Sequence, residues 1–411
     1  MRIRFTLAAL VAALIVAGCG GTTALRDVST TSLLIPSGAP PVPASAFARD
    51  SASARQLGFP EVATNNTTRI PTDAPASIAA ASALVAFPST LPGTHPTVVA
   101  VAPTDDWEAA LAASSLVSGP VGAPILLSDA GAVPVVTREA LKLLAPSGNG
   151  RLGGVQLLRI GDAAVPTGLS TARLNGSDPF AVAAAIFEYE SSHRADPATS
   201  VIIASSQFPA FAMPAAGLAA ENGDPILFAD AAGLPIATQN ALLGAHHPHI
   251  YVLGPPTILP DSVLKELALY GPVKRINGAT PAALSAAFAA YRDPACPADS
   301  PCEWVPGSFG WAIRSPGHGF VLMGESDPLD APAAAVLSGT GTYGPQLLLP
   351  NPNSLPQAVL NYFVNYTTPG IGKDGPTSAF YNHAWLIGTT SVISQPLQAQ
   401  IDSLLAPVPV K

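Results

Sequence analysis

Two tetrapeptides, Arg173-Leu174-Asn175-Gly176 and Arg275-Ile276-Asn277-Gly278, stand about 100 residues apart, and each is followed by an Ala-rich run ending in Tyr, 177–189 and 279–291. A looser relative, Arg69-Ile70-Pro71-Thr72, lies a similar distance upstream, ahead of the Ala-rich run 74–87. A period this long exceeds a short solenoid repeat and suits a small domain. The chain therefore reads as three copies of one module.

The copies align element by element. In the first, the uncharged run 97–102 reads as a buried strand, followed by a helix over 107–118, a strand at 124–127, a helix over 134–144 and a strand at 155–160 that ends in Gly161. The second offers a strand at 200–204, a helix over 212–221, a strand at 225–228, a helix over 235–243 and a strand at 250–253 before Gly254, then a helix over 260–269. The third offers a strand at 319–323, a helix over 331–337, a strand at 346–349, a helix over 355–364 and a strand at 384–387 before Gly388, then a helix over 396–405. Short apolar strands alternating with helices predict right-handed βαβ units and a parallel sheet covered on both faces. Pro134, Pro235, Pro260 and Pro396 fall at the first helical turn, where a missing N–H costs nothing. The fold class is α/β: three tandem, small, doubly wound parallel-sheet modules packed through Ala-rich helix faces.

The first residues address the compartment. Arg2 and Arg4 precede an apolar run, 5–17, and small residues lead to Cys19. That is a secretory signal, and small residues directly before a Cys resemble the lipobox of bacterial lipoproteins, in which Cys19 carries the acyl chains. Removing residues 1–18 takes two Arg and no acid, leaving 17 basic residues against 27 acidic ones, a net charge of −10. So acidic a chain is a poor nucleic-acid binder, because phosphate neutralisation supplies most of that affinity. Residues 19–61, rich in Ser, Thr and Pro, read as a tether. Module boundaries follow at 62–170, 171–272 and 273–411. Cys296 and Cys302 are spaced for a disulfide closing a small loop, with free thiols or a metal as alternatives. Two long irregular stretches, 293–319 and 367–382, set the third copy apart.

Together these features resemble the cell-wall-binding repeat 2 family of bacterial surface proteins. The resemblance rests on Arg69, Arg173 and Arg275, on Pro124-Ile125-Leu126-Leu127 and Pro225-Ile226-Leu227-Phe228, and on Ile160-Gly161, Leu253-Gly254 and Ile387-Gly388, and it covers roughly residues 62–407. It implies three Rossmann-like modules packed as a pseudo-trimer that bind envelope polymers non-covalently, usually beside an effector domain; here signal, tether and three modules are expected alone. Departures from the family pattern are clear. The second Arg of the family's Arg-x-x-Gly-x-Asp-Arg start is missing, with Pro75, Pro179 and Pro281 near that point. The family's Asp-Ala-Leu is blurred in all three copies. The apolar skeleton carries over; the ligand site does so less securely.

Candidate site residues keep two readings each. Arg69, Arg173 and Arg275 are either anion contacts, since guanidinium forks fit carboxylate or phosphate, or structural partners of a carboxylate or helix end. Gly161, Gly254 and Gly388 either admit a ligand at the strand ends or allow the turn. His246, His247 and His249 read as a polar turn in preference to a metal set, because Pro248 breaks their spacing. Asp105-Asp106 and Glu325, Asp327 and Asp330 follow the first strands of copies one and three, where copy two has Ser205-Ser206-Gln207. No nucleophile, zinc or phosphate-loop motif is present, so neither enzyme activity, metal nor cofactor is expected. The expectation is a lipid-anchored, extracytoplasmic protein facing the wall, binding an anionic secondary polymer or peptidoglycan. A solute-binding lipoprotein working with a transporter is the alternative.

Overall fold

The computed structural model describes residues 63–406 except 92, 196–197, 294–308, 312–317, 341–343 and 367–381. Cys19, Cys296 and Cys302, and most of the two long stretches of the third copy, lie outside the described residues. The described residues open with strand β1 (Thr67–Ile70) and helix α1 (Pro75–Ala86). Next come β2 (Val99–Pro103), α2 (Trp107–Ala112), a 3-10 turn (Ala113–Val117), β3 (Ile125–Ser128), α3 (Val135–Leu144), β4 (Leu157–Ile160) and β5 (Thr171–Leu174). The second run is α4 (Pro179–His193), β6 (Ser200–Ser205), α5 (Pro209–Ala212), α6 (Ala215–Asn222), β7 (Ile226–Ala229), α7 (Ile236–Gly244), β8 (His249–Leu253), α8 (Asp261–Leu267) and β9 (Val273–Ile276). The third is α9 (Pro281–Ala290), β10 (His318–Gly324), α10 (Asp330–Ala333), α11 (Ala335–Gly339), β11 (Gln346–Leu349), α12 (Gln357–Tyr366), β12 (Asn382–Ile387) and α13 (Gln395–Leu405).

The strands form three parallel sheets of four, ordered β3-β2-β4-β5, β7-β6-β8-β9 and β11-β10-β12-β1. Every residue of β2, β6 and β7 is buried, which is why these strands read as unbroken apolar runs: helices cover both faces. Thr137 and Thr238, one turn into α3 and α7, donate from Oγ1 to Leu127 O (2.5 Å) and Phe228 O (2.7 Å), tying helix to strand in the same way twice.

Sequence repeat and sheet are out of step by one strand. The Arg strand that opens each repeat pairs with the preceding sheet: β5, with Arg173, edges the first sheet, and β9, with Arg275, edges the second. The Ala-rich helix that follows packs on the next sheet, α4 against β7 and α9 against β11. The offset closes on itself, because β1 is the last strand of the third sheet. Each boundary is thus crossed by a strand on one side and a helix on the other.

Some expected helices are divided. The 212–221 run splits into α5 and α6 at Pro214, which lacks the N–H a continuous helix needs there. Residues 331–337 split into α10 and α11, and 107–118 passes from α2 into the 3-10 turn. Pro396 sits in the first turn as expected, whereas Pro134, Pro235 and Pro260 stand one residue earlier, as N-caps. The 3-10 turn, α6 and α11 meet where the three modules join, through buried small residues such as Ala113, Ala216, Ala220 and Ala335. Small side chains let these backbones approach closely, and the apolar cluster they belong to runs through all three sheets.

Acids are buried at the same joins. Glu190 on α4 is 3% exposed and lies beside Ser115 of the first module. Burial pushes its carboxyl up to about 8, against the pull of nearby Arg194, and pushes Asp224 up to about 7. In the folded chain these groups hold protons that the unfolded chain releases above about pH 4.5, so their contribution to stability falls as pH rises from there to about 8. Glu190→Gln is expected to flatten the fall of unfolding free energy between pH 5 and 8, by on the order of a few kcal/mol across that window. Urea titrations at several pH values check this; a variant with the parent's slope contradicts it.

Candidate functional site

In open parallel sheets, ligands bind beyond the carboxyl ends of the strands. Here all three sheets finish in one repeated joint. Ile160, Leu253 and Ile387 pair with Leu174, Ile276 and Ile70. The next N–H then donates across the same gap: Gly161 to Leu174 O (2.8 Å), Gly254 to Ile276 O (3.0 Å), Gly388 to Ile70 O (3.1 Å). The chain turns there through φ of 53°, 111° and 106°, the left-handed region that favours glycine. At Gly388 a Cβ would also stand 2.8 Å from Val392 Cβ.

The three Arg side chains share this register but not their surroundings. Arg69 is 2% exposed; Nη1 donates to Gly388 O and Thr389 O (3.0 Å each), and Nη2 to Ile393 O (2.7 Å) and Gln398 Oε1 (2.8 Å). Arg275 donates to Gly254 O and Asp261 Oδ1 (2.9 Å each). Among the described residues Arg173 bonds to the Asp162 carboxylate alone, at 2.7 Å, and its side chain is 47% exposed. The helix after each Gly explains the series. Around Arg69, α13 and the turn leading into it supply acceptors; α8 supplies Asp261; the first module has no helix between β4 and β5.

Past this joint the three strand ends differ in charge. In the first module a pocket of about 290 Å³ is bounded by Asp105, Asp106, Glu108, Gly161, Asp162, Asn175 and Asp178, among others. Asp106 and Asp178 are helix N-caps, accepting from Ala109 N and Ala181 N at 2.9 Å. Gly176 belongs to this wall because a Cβ there would lie 2.5 Å from Ala181 and Val182 of α4. Burial raises the Asp106 carboxyl, against the Ala109 N–H, and neighbouring Asp105 and Asp178 raise it further; burial likewise raises Glu108. The third module gathers Glu325, Asp327 and Asp330, with Asp330 pushed up to about 7 by burial and by Asp327 and Asp73. Asp73 accepts from Thr389 N (2.6 Å) and Oγ1 (2.7 Å). The second module has Ser205, Ser206 and Gln207 there, and the capping Thr280. Crowded carboxyls of this kind accept from hydroxyl and ammonium groups and repel phosphate.

Sequence reasoning named Asp105 and Asp106 but not Asp162 and Asp178, which the fold brings to them from two other loops. The available signal was Asp178-Pro179, an N-cap before a first-turn proline, in register with Thr280-Pro281. Gly161 lines this pocket, and Arg173 reaches it through Asp162; Arg69 and Gly388 belong to the third module and Arg275 and Gly254 to the second. Among the described residues no group of three or more His, Cys, Asp or Glu is placed to hold a metal ion. His246 and His247 stand exposed at φ of 54° and 71°. Among the described residues no helix is long and apolar enough to cross a membrane.

Residues 173–264, starting at the central Arg, match the model of cell wall binding domain 2 (CWB2). No curated protein sequence matches the chain. Among solved structures, Cwp6 from Clostridium difficile superposes with a TM-score of 0.59 at 15% identity, over 81% of this chain and 48% of that one. Cwp8 from Clostridium difficile does so with a TM-score of 0.59 at 15% identity, over 88% and 55%. The chain thus spans about half the length of these proteins, and the likeness is one of fold.

Arg69→Met leaves buried carbonyls without donors and is expected to lower the unfolding free energy by at least about 3 kcal/mol. Arg173→Met, which breaks an exposed pair, is expected to cost under about 1 kcal/mol. Equal losses in chemical denaturation contradict the different roles assigned to one register.

Proposed function

We propose that this chain, a CWB2 protein by its segment 173–264, holds cell-wall polymer non-covalently at the carboxyl ends of its strands and does so without catalysis. Three observations support the reading: the family match at the central module, the same joint repeated in all three sheets, and a formed pocket beyond one of them. The pocket carries it furthest. Its carboxyls favour the hydroxyl and amine groups of peptidoglycan over the phosphates of an anionic secondary polymer. Arg173 and Gly161 are the members of the Arg and Gly sets placed beside it; Arg69, engaged through both terminal nitrogens by four acceptors, serves the fold.

The lipobox at Cys19 supports a lipid anchor on the outer face of the membrane, with 19–61 spanning the gap to the wall, and the spacing of Cys296 and Cys302 supports a disulfide. A two-lobed solute receptor calls for two sheets about one cleft, and the described residues form three. Attachment or scaffolding between membrane and wall is the function that follows.

The test is sedimentation of the mature chain with purified wall sacculi, before and after extraction of anionic secondary polymers. Binding is expected to survive extraction and to weaken about tenfold, near 1.4 kcal/mol, in Asp105→Arg. Failure to sediment with either preparation sinks the reading. Binding lost on extraction and strengthened by Asp105→Arg reverses the polymer assignment.

A further inference from the structure

The second and third modules each place a helix after the Gly turn: α8 between β8 and β9, and α13 after β12. These helices bury Val263 and Leu267, and Leu397, Ile401 and Leu405, apolar residues four apart on one face. α13 packs against α12 and the last two strands of its sheet, and beside α8, Tyr270 OH donates to Gln239 Oε1 of α7 at 3.3 Å. In the first module, residues 161–170 join β4 to β5 with no helix. The place is left as a groove of about 550 Å³ between α3 and that connection, with Leu141, Pro146, Pro166 and Leu169 inside and Arg138 and Lys142 on the rim. Gln156 braces its two walls, donating to Pro146 O (2.8 Å) and accepting from Ser170 N (3.1 Å).

The rim is chemically distinct from its counterparts. Aligned on Thr137 and Thr238, Arg138 and Lys142 stand where α7 has Gln239 and Leu243. Where the chain supplies its own covering helix the position is neutral; where it does not, two cations lie one turn apart, in a chain of net charge −10 after the signal is removed. Among the described residues Lys142 is held by an exposed pair with Glu139, a weak contact readily exchanged.

We propose that this groove docks an amphipathic helix of a partner protein, apolar at positions i and i+4 and acidic beside them, seated as α8 and α13 are in the sister modules. The inference is independent of polymer binding, since the groove and the acidic pocket have no lining residue in common. A helix face laid in a hydrophobic groove, with flanking charge setting orientation, is a recurrent mode of recognition.

The probe is a fluorescent peptide of residues 258–270, which carries the α8 sequence with Asp261 and Glu266, titrated against the mature chain by anisotropy. Saturable binding is expected, absent for a scrambled peptide. It is expected to weaken at least about tenfold in the Arg138→Glu, Lys142→Glu double variant, with the melting temperature unchanged because both side chains are exposed on the rim, and to vanish in Leu169→Arg, a core-packed position whose retained fold is checked by circular dichroism. No saturable binding, or binding insensitive to both variants, overturns the proposal. So does binding of dodecyl phosphate in place of the peptide, which assigns the groove to a small amphiphile. Dimerisation abolished by Leu169→Arg also overturns it, by assigning the groove to a second copy.

Discussion

The hydrogen bond from the Gly N–H of one strand end to the carbonyl after the Arg on its neighbour occurs three times, in the same register. It joins the two most recognisable fragments of the sequence, Arg-Ile and Ile-Gly, which lie far apart in the chain in the case of β1 and β12. A glycine is needed because the turn takes a left-handed backbone, and at Gly388 because Val392 leaves no room for a Cβ. Where the joint is deepest, the Arg side chain seals it by donating to the carbonyls that the turn exposes. Buried carbonyls without donors are costly, so a guanidinium that donates to three of them is a sound closure there.

From that joint follows the way the modules hold together. Each Arg strand belongs to one sheet and the helix after it to the next, so no module can leave without breaking both strand pairing and helix packing. With β1 completing the last sheet, the first and last strands of the described residues are tied by the same contact as the interior boundaries. The inner helices accept this because they carry Ala, Gly and Ser where bulkier side chains would hold them apart. The buried carboxyls at those joins, Glu190 and Asp224, oppose stability at high pH, a cost of placing acids between modules.

Much of this was legible in the residues. The apolar runs, the prolines at helix starts and the hundred-residue period place the helices and the inner strands, because fully buried parallel strands need no alternation to be seen, whereas the Arg strands β1, β5 and β9 were read as repeat markers and not as strands. The strand offset was not legible: period marks where a motif recurs, and β5 stands nearer in sequence to α4 than to β4, the strand it pairs with. Nor was the separation of the three Arg residues, since identical registers in sequence acquire different burial from helices that come later. Asp105 and Asp106 were visible as a pair, yet their meeting with Asp162 and Asp178 depends on three loops converging at strand ends. The first module shows the consequence of what its sequence lacks. With no helix after Gly161, Arg173 remains exposed and a groove stays open on the same module.

The claim on which the functional account turns is that the carboxyl ends of the strands are the ligand face. Hydrogen–deuterium exchange of the mature chain with and without soluble peptidoglycan fragments tests it most directly. The account predicts slowed exchange at 104–106, 161–162 and 175–178, around the acidic pocket. Slowing confined to the outer helices α3, α7 and α12, with those loops unchanged, contradicts it.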